Sequence, residues 1–499
     1  MKKTKVCIIG AGVAGMSAAW SLSRYPDKFD VTVYEKKSQA GGVATTENLE
    51  IMPGVFCDIN DGVQGGSSSY RNTILLHREV NFDPSPTHMR VSFGQNSSAW
   101  TNYLPSNTNG IEIQQLESEI RRFGYYLKLI SWLEPIFIFI PIWLTARLFC
   151  LSSRFTNLML YPLIALFFGT GNQTKNISSA LIARVFFDPN LKLFDYDSKR
   201  LLASQADMFA FDKLSYIYQS LVNKCIELSY QQTKFYFNQT IEKISSTNIY
   251  TNSNQFNNSF DRIIFACDAE TILQIYEKPT QFQQTILGNI RYYDDVTYTH
   301  TDLNYINNYY TVHLDFDQYF IHTNINDSHQ SLIEMSFNLS NYQPHLIELK
   351  RIKYPNLNIF QTLFLNKFES KKWTIEKLDK KKILLERWWR QFAHVWQHFL
   401  FTVPLIRFLQ KENSNILYAG AYTMLNTHEI ACISGLAAAH ELGAEYPFEK
   451  DSLALKQFDL YMNFVYGKCR NGRQTLLQRL TTFLLTILLW FAVIIRKRL

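Results

Sequence analysis

The 499-residue chain reads as an α/β fold, a parallel sheet interrupted by long insertions, on three observations. Val6-Cys-Ile-Ile9 is an apolar run suited to a strand buried on both faces. Gly10-x-Gly12-x-x-Gly15 follows it directly, and Val31-Thr-Val-Tyr34 ends in Glu35, twenty residues beyond Gly15. The chain exceeds the roughly 250–300 residues at which a single core stops growing, so more than one packed unit is required. Hydrophobic residues at 46% and charged residues at 19%, with 37 Phe and 28 Tyr, supply large cores and exclude global disorder. The net charge of +7 marks no nucleic-acid-binding tail, so no nucleic-acid partner is expected.

Each piece of the opening stretch has a physical task. Gly10 permits the tight turn, Gly12 lets backbone approach a pyrophosphate, and Gly15 allows close packing of helix on strand. The helix that begins at Val13 and Ala14 offers unpaired N–H groups and a positive dipole end to phosphates, and Ala18 and Leu22 are expected on its inward face. Glu35 stands where an acid hydrogen-bonds a ribose 2′-OH and repels a 2′-phosphate, which disfavours an NADP site. Met1-Lys-Lys-Thr-Lys and Ser17-Ala-Ala19 imitate a secretory leader, but three glycines make a poor apolar helix.

Gly41-Gly42 comes next, within Gln39-Ala-Gly-Gly-Val-Ala-Thr-Thr46. Here the chain resembles the amine-oxidase-like superfamily of FAD-dependent oxidoreductases, which includes monoamine oxidases, protoporphyrinogen oxidase and phytoene desaturases. The resemblance places the glycine pair beside the flavin diphosphate. Val43 stands where that family usually carries Arg or His, which removes one polar contact. The resemblance returns at Asp261-Arg-Ile-Ile-Phe-Ala-Cys-Asp-Ala269, preceded by a meander at 235–244 and 248–250 in which residues near Ile241 would touch the adenine side by backbone. It returns again at Ile416-Leu-Tyr-Ala-Gly-Ala-Tyr-Thr423 and at His428-Glu-Ile-Ala-Cys-Ile-Ser-Gly-Leu-Ala-Ala-Ala439, which look like the family's closing strand and helix. Gly420 and Ile430 would then lie at the flavin end. Because Ala421 replaces the acid usual after Gly420, Glu429 is expected to stand in for it.

The resemblance implies a Rossmann-type FAD-binding domain, glutathione-reductase-like, with an inserted α+β substrate domain, to which the tail sequence adds a C-terminal membrane-anchor helix. Its segments are 1–75, 231–275 and 411–447; the insertions are 76–230, which holds apolar segments, and 276–410; a C-terminal helix and hydrophobic tail occupy 448–499. The first insertion contains the apolar stretches 127–150 and 155–168, but Glu134, Pro135 and Pro141 rule out one uninterrupted spanning helix. Leu480 to Ile495 carries no charge and is bracketed by Arg479 and Arg496-Lys-Arg498, the pattern of a membrane anchor. Seven scattered cysteines without a CxxC pair disfavour a disulfide framework and a zinc site and suit a cytosolic body on an endomembrane. His394-Val-Trp-Gln-His398 shares a helical face but lacks further ligands, so no metal is expected.

The expected activity is hydride transfer from a C–H bond of a lipid-like, polyene or amine substrate to FAD, with a small, apolar molecule as partner. Tyr422, His428 and Gln64, the last in Asp61-Gly-Val-Gln-Gly-Gly66, are the candidates for groups near the isoalloxazine. Two other readings stay open: a binding or escort protein on the same fold without catalysis, and an NAD-linked dehydrogenase.

Overall fold

A computed structural model describes residues 2–468 except 170, 189–193, 204–205, 253–257 and 326–330. The hydrophobic tail 480–495 lies outside the described residues.

The apolar run at 6–9 becomes the middle of a five-stranded parallel sheet, in the order Lys234–Tyr236, Phe29–Tyr34, Thr4–Ile9, Arg262–Phe265, Ile416–Tyr418. Val6, Cys7 and Ile8 are wholly buried, as the central strand of a parallel sheet requires. The helix Val13–Ser23 packs along the closing helix His428–Glu441. Contact is close because a Cβ on Gly435 would lie 2.0 Å from the Ala14 carbonyl oxygen, and Ser17 Oγ donates to the Cys432 carbonyl at 3.0 Å. Every residue of Val13–Ser23 is buried, so the inward face expected for Ala18 and Leu22 extends round the whole helix.

The second layer is a seven-stranded sheet, ordered Ile383–Phe392, Tyr292–His300, Phe360–Phe364, Ser331–Asn338, Tyr319–Ile325, Val91–Phe93, Trp100–Thr101. Alternation along the strands gives it two unlike faces. Val296, Phe320, Leu332, Phe360 and Phe364 build one core with Tyr305, Tyr310 and Trp373. The other face meets the parallel-sheet domain: Arg387 Nε pairs with Asp61 Oδ2 at 2.9 Å, and Gln361 Nε2 donates to the Asp61 carbonyl at 2.7 Å.

The apolar stretch 127–150 is broken where its prolines predict. Glu117–Trp132 ends, Pro135 sits in the first turn of Glu134–Phe137, and Pro141 caps Ile142–Leu148. Among the described residues no helix is long and apolar enough to cross a membrane. Trp132 is 79% exposed, and Ile136, Phe139, Trp143 and Leu148 are exposed with it.

Candidate dinucleotide site

The glycine loop sits at the carboxyl ends of the parallel strands, where open α/β sheets bind ligands. Gly12 is the N-cap of Val13–Ser23 and supplies no side-chain cap, so the first-turn N–H groups at Val13 and Ala14 point outward without an intrahelical acceptor. A Cβ on Gly15 would lie 1.9 Å from the Gly10 carbonyl oxygen, so the turn closes only over glycine. Gly41 N donates to the Ala11 carbonyl at 2.8 Å, which lays the glycine pair along the loop. Gly42 has φ +66°, and a Cβ there would sit 3.1 Å from the Gly12 Cα, so two bare backbones face each other.

Glu35 ends its strand against this loop. Its Oε2 accepts from Ala11 N at 2.7 Å and its Oε1 from Lys37 N at 2.9 Å. Each carboxylate oxygen keeps a further lone pair for a hydroxyl. Gln239 N donates to the Glu35 carbonyl at 3.0 Å and carries the chain into Ile241, the first residue of Ile241–Ser245. Gly10, Gly12, Gly15, Glu35, Gly41, Gly42 and the approach to Ile241 thus form one cluster.

The closing strand adds a second wall. Gly420 N donates to Ser434 Oγ at 2.8 Å, and Thr427 Oγ1 caps the closing helix by accepting from Ile430 N at 3.1 Å. His428 Nε2 and Tyr218 OH are 2.6 Å apart, and the Tyr218 ring lies 3.4 Å from where a Gly41 Cβ would be. Tyr218 therefore joins the glycine pair to the closing helix. His77 stands 5.8 Å from His428, ring to ring, and its buried Nε2 has no partner among the described residues. Burial holds both imidazoles neutral, pushing His77 down to about 3 and His428 well below its ordinary value, with His77 adding to the depression of His428.

The other candidates are placed differently. The Glu429 carboxylate accepts from the backbone N–H groups of Asn72 and Thr73, each at 2.8 Å, at the start of the helix Arg71–Arg78. Burial raises its pKa while these donors oppose the rise. Tyr422 is buried beside Gly420, and its hydroxyl has no partner among the described residues. It neighbours Cys267 and Tyr292, whereas His428 neighbours Tyr218 and His77. The Gln64 amide is held within a buried network: Nε2 donates to the Asn60 carbonyl at 2.8 Å, and Gln343 Nε2 donates to Gln64 Oε1 at 2.7 Å. His394 Nε2 accepts from Asn426 N at 2.7 Å, and His398 Nε2 lies 3.1 Å from the Met424 carbonyl oxygen, so the two hold the closing-strand loop.

Lys37 and Arg387 were not among the sequence candidates, and Trp389 was weighed only as a tunnel-lining or core aromatic. Lys37 Nζ donates to the Gly42 carbonyl at 2.9 Å and lies 5.8 Å from the Trp389 ring centre. Burial lowers the Lys37 pKa, and Glu35 opposes the drop. Lys37 is two residues from Glu35 and was within reach of sequence reasoning; Arg387 arrives from a distant strand without a local signal.

This geometry defines a dinucleotide-binding protein of Rossmann type, and residues 8–77 match the family described as NAD(P)-binding Rossmann-like domain. Over most of its length the chain shares its fold with the solved structures that follow. It is similar to a protein of Exiguobacterium sp. 255-15 assigned as a protoporphyrinogen oxidase, at 11% identity and TM-score 0.60, covering 89% of this chain and 99% of that one. It is similar to the CLA-producing fatty acid isomerase of P. acnes at 13% identity and TM-score 0.57, covering 87% and 97%. Cyclohexylamine oxidase of Brevibacterium oxydans IH-35A matches at 12% identity and TM-score 0.57, covering 88% and 99%. No curated protein matches by sequence.

Proposed function

We propose that the chain is an FAD-dependent oxidoreductase of amine-oxidase type that removes a hydride from a C–H bond of a lipid-like, polyene or amine substrate. The observation that carries this reading is the facing pair Gly12 and Gly42 beside Glu35, a cradle that any Cβ would fill. The donor set fits the cofactor: uncapped amides at Val13 and Ala14 for the diphosphate, Glu35 for the ribose, and backbone near Ile241 for the adenine. Gly420, Glu429 and Ile430 line the flavin end, where the Gly420 and Ile430 N–H groups are already given to Ser434 Oγ and Thr427 Oγ1. When bound, FAD supplies the hydride acceptor. Of Tyr422, His428 and Gln64, Tyr422 is the group we place at the reacting end, because its buried hydroxyl has no partner among the described residues; His428 is held by Tyr218 and Gln64 by Asn60 and Gln343. Cyclohexylamine oxidase and the fatty acid isomerase, which share the fold, support amine and lipid substrates respectively.

Membrane association belongs to the same proposal. The uncharged segment 480–495 supports an anchor, and exposed Trp132, Ile136, Trp143 and Leu148 beside Lys128 and Arg147 support an interfacial contact with an anionic leaflet. The unpaired cysteines Cys7, Cys57, Cys150, Cys225, Cys267 and Cys432 support a cytosolic body. Anaerobic bleaching of the bound flavin by an amine or lipid fraction is the expected outcome. Flavin that no such fraction reduces supports instead a binding role without catalysis.

A further inference from the structure

The strand pair Tyr292–His300 and Ile383–Phe392 carries a buried acid outside the dinucleotide cradle. Asp295 is 5% exposed and lines a small recess with Tyr293, Gln391, Asn366 and Gln173. Strand register sets this grouping: Asp295 pairs with Trp389 and Tyr293 with Gln391, so the acid and the Gln391 amide are diagonal neighbours on one face. Asp295 Oδ1 accepts from Asn366 N at 2.6 Å, whereas Asp295 Oδ2 and the Gln391 side-chain amide have no hydrogen-bond partner among the described residues. Neither Lys nor Arg lines the recess. Asp294, which alternation turns to the opposite face, has its own cation, Arg390 at 3.1 Å. Burial pushes the Asp295 carboxyl up to about 7 against the pull of the Asn366 amide, with Asp294 adding a smaller push.

The recess has room for about one water. We infer that it seats a single monovalent metal ion, sodium or potassium, stripped of water and held by the Asp295 carboxylate. A buried carboxylate without a counter-ion is costly. A water in the recess would bond to Oδ2 and leave the charge unbalanced; a cation of about the same radius, roughly 1.4 Å, balances it. Amide and carboxylate oxygens replace the hydration shell of an alkali ion, and Gln391, Asn366 and Gln173 bring amide groups beside the acid. A divalent ion is not matched, since calcium takes six or more oxygens and magnesium keeps several waters, for which there is no room. None of these groups is among those assigned to FAD, so the inference stands independently of the oxidoreductase reading.

The test is thermal unfolding of the full chain, supplemented with FAD and followed by circular dichroism at about pH 8, where the Asp295 carboxyl is ionised. Sodium, potassium and choline chlorides are compared at one ionic strength of about 0.1 M, so that general screening is equal. Sodium or potassium is expected to raise the unfolding midpoint by about 2 °C or more over choline, and to saturate with concentration. Asp295→Asn, which keeps an acceptor for Asn366 N, should abolish that difference. Gln391→Leu, which removes one amide oxygen, should raise the concentration giving half the effect by about tenfold, and stands in should Asp295→Asn fail to fold. Equal midpoints in the three salts leave the recess to a water or a proton and overturn the inference. A difference that both substitutions leave unchanged overturns it as well, because the ion then acts elsewhere on the chain.

Discussion

Glu429, in the first turn of the closing helix, accepts the backbone N–H of Asn72 at 2.8 Å across 357 residues of sequence. Its second oxygen takes the N–H of Thr73, and Asn72 Nδ2 adds a third bond at 2.9 Å. These donors belong to the uncapped start of Arg71–Arg78, so one carboxylate caps that helix and fastens it to the closing helix. Glu429→Ala leaves buried donors without acceptors and should cost about 2–4 kcal/mol in urea unfolding. Glu429→Gln, which keeps one carbonyl oxygen, should cost about half as much. A loss of flavin affinity with no change in the unfolding midpoint contradicts the capping role.

The glycines separate cofactor binding from folding. Gly42→Ala puts a methyl 3.1 Å from the Gly12 Cα on a left-handed backbone, which should abolish flavin binding and cost about 1–3 kcal/mol. Gly15→Ala meets the Gly10 carbonyl at 1.9 Å and Gly435→Ala meets the Ala14 carbonyl at 2.0 Å, so both should lower the unfolding midpoint whether or not FAD is added. Circular dichroism melts with and without FAD distinguish the two classes.

A buried acid predicts the pH dependence of stability. Glu334 is fully buried, accepts from Thr374 N at 2.9 Å and Thr374 Oγ1 at 2.7 Å, and has its pKa raised to about 7 by burial. Its unfolded value of 4.5 is lower, so between the two values the unfolded chain gives up the proton first. The contribution to stability is complete below pH 4.5 and falls as pH rises to about 7. His322, 3.4 Å away and lowered to about 4 by burial, acts oppositely, losing stability as pH falls from 6.5 to about 4. Glu334→Gln should therefore gain on the wild type by on the order of 2 kcal/mol between pH 5 and pH 8, read as urea midpoints. A constant difference across that range removes Glu334 from the account.

The exposed apolar helices predict a lipid contact that does not need the tail. In a chain truncated before Arg479, Trp132→Glu combined with Ile136→Glu should weaken sedimentation with anionic liposomes by about tenfold or more, since each buried side chain contributes about 1.5–3 kcal/mol. Unchanged sedimentation leaves the segment 480–495 as the only support for membrane association.

The parallel sheet and its glycine turn were legible because their signals are local: the apolar run at 6–9, three glycines in six residues, and an acid one helix and one strand later. The breaks at Pro135 and Pro141 were legible for the same reason, since proline acts on its own backbone. Periodicity said too little for Val13–Ser23, where a helix buried on all sides has no polar face to mark. The chemistry of Glu429 was hidden by distance: the sequence pointed it at the cofactor, and its carboxylate is taken up by amides 356 and 357 residues away. Arg387 beside Asp61, Gln343 beside Gln64 and Asp295 in its recess likewise arise only when distant strands meet.

The central claim is that the Gly12–Gly42 cradle holds FAD. Its most direct test is the flavin released on denaturing the purified full-length chain, quantified by absorbance near about 450 nm. The account predicts about one FAD per chain, lost in Gly42→Ala. A chain free of flavin even after supplementation with FAD contradicts it.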